Sequence, residues 1–116
     1  AENTALQGYE VWYNDQRPFS GRSRAFAEMM HTALAEAYAA AGYDANDRGI
    51  GIEDHAVTGP ERPGKLVPSN MPGAVIEGIF LSNDDDAAFI TSDQGEETLV
   101  GAYERAIKEY FDAYPG

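Results

Sequence analysis

The sequence predicts an α/β fold, on the basis of one nearly continuous apolar strand in its second half and two long segments of helical periodicity. The predicted order is strand, helix, loop, strand, short helix and long helix. The 116 residues are enough for one small domain or for part of a larger one, and a hydrophobic content of 43% is ordinary for a globular core.

The first half of the chain contains a strand, a helix and a long irregular segment. The strand is predicted at about residues 8–13, where polar and apolar residues alternate and aromatic residues are frequent. Helical spacing of apolar residues begins at Ser23 in an Ala-rich stretch, and Gly42 is a natural stop. Frequent Pro and Gly residues predict a loop over 43–72 with one short strand at most.

Glu77 is the one ionisable residue of the apolar run 74–81. Such a run is typical of a strand buried on both faces, as in a parallel sheet beneath helices. A carboxylate taken out of water costs several kcal/mol unless it is paired or hydrogen-bonded. Because polar residues follow at Ser82 and Asn83, Glu77 is expected toward the carboxyl end of the strand, where open α/β sheets bind ligands. The alternative is a structural glutamate held by backbone amides or a buried Arg.

Two further helices complete the predicted fold. Asp84, Asp85 and Asp86 precede a short apolar segment, and their carboxylates suit the positive end of a helix, so no ligand role is assigned to them. The last helix is expected to begin near Gly95 and to carry an apolar stripe that forms core.

Three other residues are candidates for the site. His31 is expected at the surface of the long helix. His55 has acidic neighbours and could join a metal site, although three consecutive loop residues rarely form one alone. Arg48 either delivers a cation to a cleft or neutralises nearby acidic groups.

The composition excludes several classes of partner. Eight basic and 20 acidic residues give a net charge of −12, which would repel phosphate backbones, so nucleic acid is not an expected partner. No apolar run approaches the roughly 20 residues of a membrane span, and no leader segment is expected. With no cysteine, the chain forms neither disulfides nor thiolate metal sites.

Four blocks in a fixed order carry a family resemblance: Gly8–Tyr13, Ser23–Ala27, Asn46–Ile50 and Met71–Asp84. The last block is the most specific, because it combines a Pro, a strand, a Glu, a Gly, a Phe and a Ser-Asn pair. With these blocks the sequence resembles the carboxy-terminal part of the zinc-dependent N-acetylmuramoyl-L-alanine amidases of the amidase 3 type. The resemblance covers nearly the whole chain.

The resemblance implies a three-layer α/β/α fold with a mostly parallel sheet, of which residues 1–116 form the carboxy-terminal part of one catalytic domain. It also implies a hydrolase that cleaves the amide between the lactyl group of N-acetylmuramic acid and L-alanine in peptidoglycan through a zinc-bound water. Glu77 matches the family's general acid/base. Arg48 and Asn83 are candidates for the substrate cleft.

The chain departs from the family pattern at the metal site. The family holds Zn²⁺ with two histidines and a glutamate that precede the matched segment, and none of them is in this sequence, so the chain alone is expected to be inactive. Peptidoglycan and the missing amino-terminal segment of the domain are the implied partners, in an extracellular or periplasmic cell-wall setting. The alternatives are a non-catalytic peptidoglycan-binding or interaction module and a generic acidic α/β domain with a structural Glu77.

Overall fold

The computed structural model describes residues 6–65 and 67–115, and this part of the chain has the predicted α/β architecture. The elements, in chain order, are β1 (Tyr9–Tyr13), α1 (Ser20–Ala41), β2 (Asp47–Ile52), β3 (Val75–Glu77), α2 (Asp84–Ile90) and α3 (Asp93–Ala113). The predicted α/β class is confirmed, and β2 is a strand within the segment 43–72 that was predicted as a loop with one short strand at most.

β1 is the central strand of the sheet, which has the order β2-β1-β3. It runs parallel to β2 and antiparallel to β3, so the sheet is partly parallel where a mostly parallel one was predicted. Side chains alternate along a strand, and Tyr9, Val11 and Tyr13 are all buried on the face that packs against α1. This face of β1 forms the floor of the hydrophobic core.

β3 is shorter and less buried than the apolar run 74–81 predicted. It has three half-buried residues and pairs with β1 only, so within the described residues it is an edge strand. At Gly78 the chain leaves the sheet, and the backbone carbonyl there accepts a hydrogen bond from the buried Tyr38 hydroxyl. In the irregular segment that follows, Ile79 packs against the core, whereas Leu81 is exposed. The prediction of a strand buried on both faces was therefore wrong.

The two long helices pack against each other over the sheet. α1 buries a stripe at helical spacing, and α3 faces it with Leu99 and two small residues, Ala102 and Ala106, that allow a close approach. α1 begins at Ser20, earlier than predicted, and ends where predicted, at a left-handed Gly42. No helix in the described ranges is both long and apolar enough to cross a membrane.

α2 and α3 are joined by a very short connection with a cap at each start. The Asn83 side chain accepts from the Asp86 amide at 3.0 Å, and the Ser92 hydroxyl accepts from the Gly95 amide at 3.0 Å. Both contacts satisfy N–H groups that a first helical turn leaves without partners. A Cβ at Gly95 would overlap the backbone carbonyl of Phe89, so this junction depends on glycine.

Two glycines of α3 are expected to respond to alanine with opposite signs. Gly95→Ala should lower the free energy of unfolding by about 1–3 kcal/mol, because backbone atoms of α2 must move to accept the methyl group. Gly101→Ala should raise it by about 0.5–1 kcal/mol, because Gly101 lies on an exposed helix surface with open space around it. Urea unfolding of both variants measures the difference, and equal effects would contradict the described junction.

Candidate active site

Glu77 is the last residue of β3 and faces a second carboxylate across the sheet. In the antiparallel register its partner is Glu10 of β1, and Trp12 faces Val75 two residues along. Side chains directly opposite in such a pair have Cβ atoms about 4.5–5.5 Å apart. This register places the carboxyl groups of Glu10 and Glu77 next to each other. The structure therefore brings together two acidic side chains that are 67 residues apart in the sequence.

The pair lies on the face of the sheet opposite the helical core. Alternation along β1 turns Glu10 and Trp12 away from the face that carries Val11. The Trp12 ring covers Gly51 of β2, where a Cβ would overlap the indole. The carboxylates thus lie beside a half-buried aromatic ring and away from α1 and the core.

Arg48 of β2 also lies on this face, next to a bulge in the strand. Tyr9 pairs with Asp47 and Val11 with Ile50, so two residues of β2, Arg48 and Gly49, lie opposite one residue of β1. Gly49 has φ 84°, a left-handed conformation that glycine adopts without steric cost. The Arg48 Nε atom lies 3.3 Å from Glu10 Oε2, and the guanidinium lies over the Phe80 ring at 5.3 Å.

The surroundings shift the pKa values of the two carboxyl groups in opposite directions. Burial opposes ionisation of Glu10, but hydrogen bonds from Glu77, Arg48 and Trp12 outweigh it and lower the Glu10 pKa. The pKa of Glu77 is raised by its hydrogen bond with Glu10, then by burial and by the negative charge of Glu10. The positive charges of His55 and Arg48 oppose this rise without cancelling it. Glu77 is consequently the member of the pair that holds a proton more readily.

The two histidines have different surroundings. His31 is not at the open surface as predicted, because its ring contacts Tyr9 and its Nε2 atom lies 2.7 Å from Asp47 Oδ1, with 20% of the side chain exposed. His55 lies next to Trp12, with 6.5 Å between ring centroids, and its buried Nδ1 atom has no hydrogen-bond partner among the described residues. His55 thus borders the carboxylate pair, whereas His31 belongs to the helix–sheet interface.

Asn83 and Asp86 connect the segment after β3 to the start of β1. The Asn83 amide donates to the Gln7 side chain at 3.3 Å, besides its capping role. Asp86 is 3% exposed and accepts from the Gly8 amide at 2.7 Å and from the Tyr43 hydroxyl. Asp86 is the buried member of the Asp84–Asp86 run. Its hydrogen bond to the Gly8 amide holds the chain in place two residues before Glu10.

The two substrate-cleft candidates, Arg48 and Asn83, differ in their relation to Glu77. Arg48 reaches the carboxylate pair through Glu10, whereas Asn83 caps α2 and donates to Gln7. A substrate-cleft role for Arg48 or Asn83 stays a prediction. Glu10 was not predicted, although it shares with Glu77 the signal of a carboxylate in an aromatic and apolar strand.

The described residues do not by themselves supply a metal centre. Within 6–65 and 67–115, no group of three His, Cys, Asp or Glu side chains is arranged to hold an ion. The donor set around Glu77 consists of two neighbouring carboxyl groups and of an Arg. These residues are suited to proton transfer. They do not form the zinc site of two histidines and a glutamate that the family resemblance implies.

An α/β domain with a carboxylate pair at the end of a strand is an arrangement suited to acid/base catalysis, and comparison with known proteins identifies the family. The family model described as N-acetylmuramoyl-L-alanine amidase, Amidase_3, matches residues 1–109. The chain belongs to this family. The search of curated proteins gave no match.

Solved structures of amidases have the same fold. The catalytic domain of CwlV, an N-acetylmuramoyl-L-alanine amidase from Bacillus (Paenibacillus) polymyxa var. colistinus, matches with a TM-score of 0.72 and 27% identity over 97% of this chain and 52% of that one. AmiC2 of Nostoc punctiforme matches with a TM-score of 0.73 and 20% identity, over 97% and 53%. The CwlD amidase of Clostridioides difficile, in complex with the GerS lipoprotein, gives 0.70 and 18%, over 97% and 50%. The chain thus spans about half the length of these structures.

The buried Asp86 is expected to contribute far more to stability than its neighbour Asp85. Asp86→Ala leaves the Gly8 amide and the Tyr43 hydroxyl without their acceptor, which should lower the free energy of unfolding by about 2–4 kcal/mol. Asp85→Ala removes an exposed first-turn carboxylate and should cost about 0.3–1 kcal/mol. Urea unfolding curves of the two variants test this, and similar losses would refute the role of Asp86 as an anchor of β1.

Proposed function

We propose that this chain is part of a peptidoglycan amidase that hydrolyses the amide between the lactyl group of N-acetylmuramic acid and L-alanine, with Glu77 as general acid/base. The observation that carries the proposal is the position of Glu77 in a chain of this family. It ends a strand, it is half-buried, and a neighbouring carboxylate raises its pKa. A general acid/base works best with a pKa near the operating pH, so the rise suits the role.

The proton transfer uses one atom of Glu77 twice. An ionised Glu77 Oε accepts a proton from the attacking water as the water oxygen forms a bond to the scissile carbonyl carbon. The same Oε–H then donates the proton to the nitrogen of L-alanine as the C–N bond breaks. Glu77 ends in the state in which it began, and the products are the lactyl carboxylic acid and the free amine, which then exchange protons with the solvent.

We further propose that the complete domain requires Zn²⁺ held by ligands outside this chain. When bound, the ion would polarise the carbonyl and make water acidic enough to be deprotonated near neutral pH. This dependence rests on the family resemblance, because the described residues hold no ligand group of their own. This chain without those ligands is expected to be inactive.

The amino-terminal part of the same domain is the proposed structural partner of this chain. Within the described residues β2 and β3 each pair on one side only, and such open edges attract further strands. On β2, Ile50 and Ile52 are 38% and 54% exposed, and Leu81 after β3 is 69% exposed. A neighbouring half-domain would cover these apolar groups. An extracellular or periplasmic location at the cell wall follows from the proposed substrate.

Replacement of Glu77 tests the catalytic role directly. In the protein that includes the zinc ligands, Glu77→Gln should lower kcat on purified peptidoglycan by about 10²–10⁴-fold, the range typical of general acid/base groups. Zinc content should not change, because the proposed zinc ligands lie outside this chain. Glu28→Gln, an exposed carboxylate on α1 paired with Arg24, is the matched control and should keep full activity. Full activity of Glu77→Gln would refute the proposal.

Zinc analysis combined with intact mass tests whether the site is assembled from two pieces. This chain purified alone should contain no zinc, and a sample that includes the amino-terminal segment should contain about one zinc per domain. Binding to peptidoglycan without turnover in the zinc-loaded sample would instead support the alternative of a non-catalytic peptidoglycan-binding module.

A further inference from the structure

The Glu10–Glu77 pair resembles two carboxyl groups that share one proton. The two residues are direct partners in the antiparallel register of β1 and β3, which places their side chains next to each other on one face of the sheet. A hydrogen bond between two carboxyl oxygens needs a proton on one of them. Two neighbouring negative charges repel each other, so the second carboxyl group is harder to ionise once the first is charged.

Arg48 decides which member of the pair is ionised. Its Nε atom lies 3.3 Å from Glu10 Oε2, and the Glu10 side chain is only 12% exposed. Trp12, on the same face of β1, also favours the charged form of Glu10. Because these donors favour the charged form of Glu10, the shared proton belongs on Glu77.

We propose that Glu10 is a positioning residue for the reaction, which accepts a hydrogen bond from the protonated carboxyl of Glu77 and orients it between the two proton transfers. This inference rests on the proposed function of Glu77. Glu10 neither gains nor loses a proton over the cycle, since the proton passes from water to Glu77 and from Glu77 to the leaving amine. Arg48 favours the ionised form of Glu10 through their contact across β1 and β2.

Three charged groups face Glu77, and each has a predictable effect. Glu10 of β1 raises its pKa, whereas Arg48 of β2 and His55 of the following loop lower it. Removal of Glu10 should therefore move the acid limb of kcat/KM to lower pH, and removal of Arg48 should move it to higher pH. A merely structural effect at either position would lower activity without moving the limb in these opposite directions.

The test compares Glu10→Gln and Arg48→Met in the full-length, zinc-loaded protein. Glu10→Gln should lower kcat about tenfold, in the range usual for groups that orient an active-site side chain, with KM nearly unchanged and the acid limb at lower pH. Glu10→Asp is a second variant that keeps the charge and withdraws it from Glu77, and it should shift the limb in the same direction. Glu36→Gln, a carboxylate paired with Arg105 on the helices, is the control for removal of one charge.

A titration without metal separates this inference from the proposed function. In the metal-free protein, the ¹³C carboxyl resonance of Glu77 should titrate at lower pH after Glu10→Gln and at the original pH after Glu36→Gln. An unchanged Glu77 titration, or a pH profile that keeps its acid limb, would overturn the role of Glu10. Full activity of Glu77→Gln would overturn the proposed function and with it the reaction role of Glu10, while the titration would still show whether the two carboxyl groups interact.

Discussion

The alternation of side chains along β1 is the constraint on which the rest of the structure depends. Val11 is completely buried beneath α1, and burial of such a side chain contributes about 1.5–3 kcal/mol. A shift of the strand by one residue would replace it with Glu10 and bury an unpaired carboxylate, at a cost of several kcal/mol. The core therefore fixes the register, and the register in turn forces Glu10 to the opposite face, next to Glu77.

The bulge in β2 extends this constraint to the third strand. Gly49 is the extra residue between the Tyr9–Asp47 and Val11–Ile50 pairs, so Ile50 stays in register with Val11. Asp47 lies on the Tyr9 face and bonds to His31, while its neighbour Arg48 lies on the face of the carboxylates and contacts Glu10. His31 lowers the pKa of Asp47, the amide of Gly49 lowers it further, and both contacts hold the bulge in place. Two adjacent residues of β2, Asp47 and Arg48, thus make one contact with the helix–sheet interface and one with the candidate site.

The sequence predicted the elements whose signals are local. The helical spacing from Ser23 and the left-handed stop at Gly42 arise within single segments, so α1 was predictable to within a few residues. The direction of β3 relative to β1 could not be predicted. An apolar run indicates that a strand is buried but does not indicate which strand it pairs with or in which direction. Glu77 could be singled out as an isolated charge, but Glu10 became its partner only through antiparallel pairing over 67 residues.

The pH dependence of the carboxylate pair supports proton transfer over a purely structural role. Glu10, whose pKa is lowered on folding, stabilises the fold above its unfolded pKa, and this contribution is lost as pH falls through the folded value. Glu77, whose pKa is raised, stabilises the fold below its unfolded pKa, and that contribution is lost as pH rises through the folded value. The pair is thus most favourable in mildly acidic solution, and ionisation of Glu77 at higher pH weakens the fold. An amide at position 77 could donate to Glu10 at every pH without that loss, so stability alone does not account for a carboxyl group there, whereas a reversible proton carrier requires one.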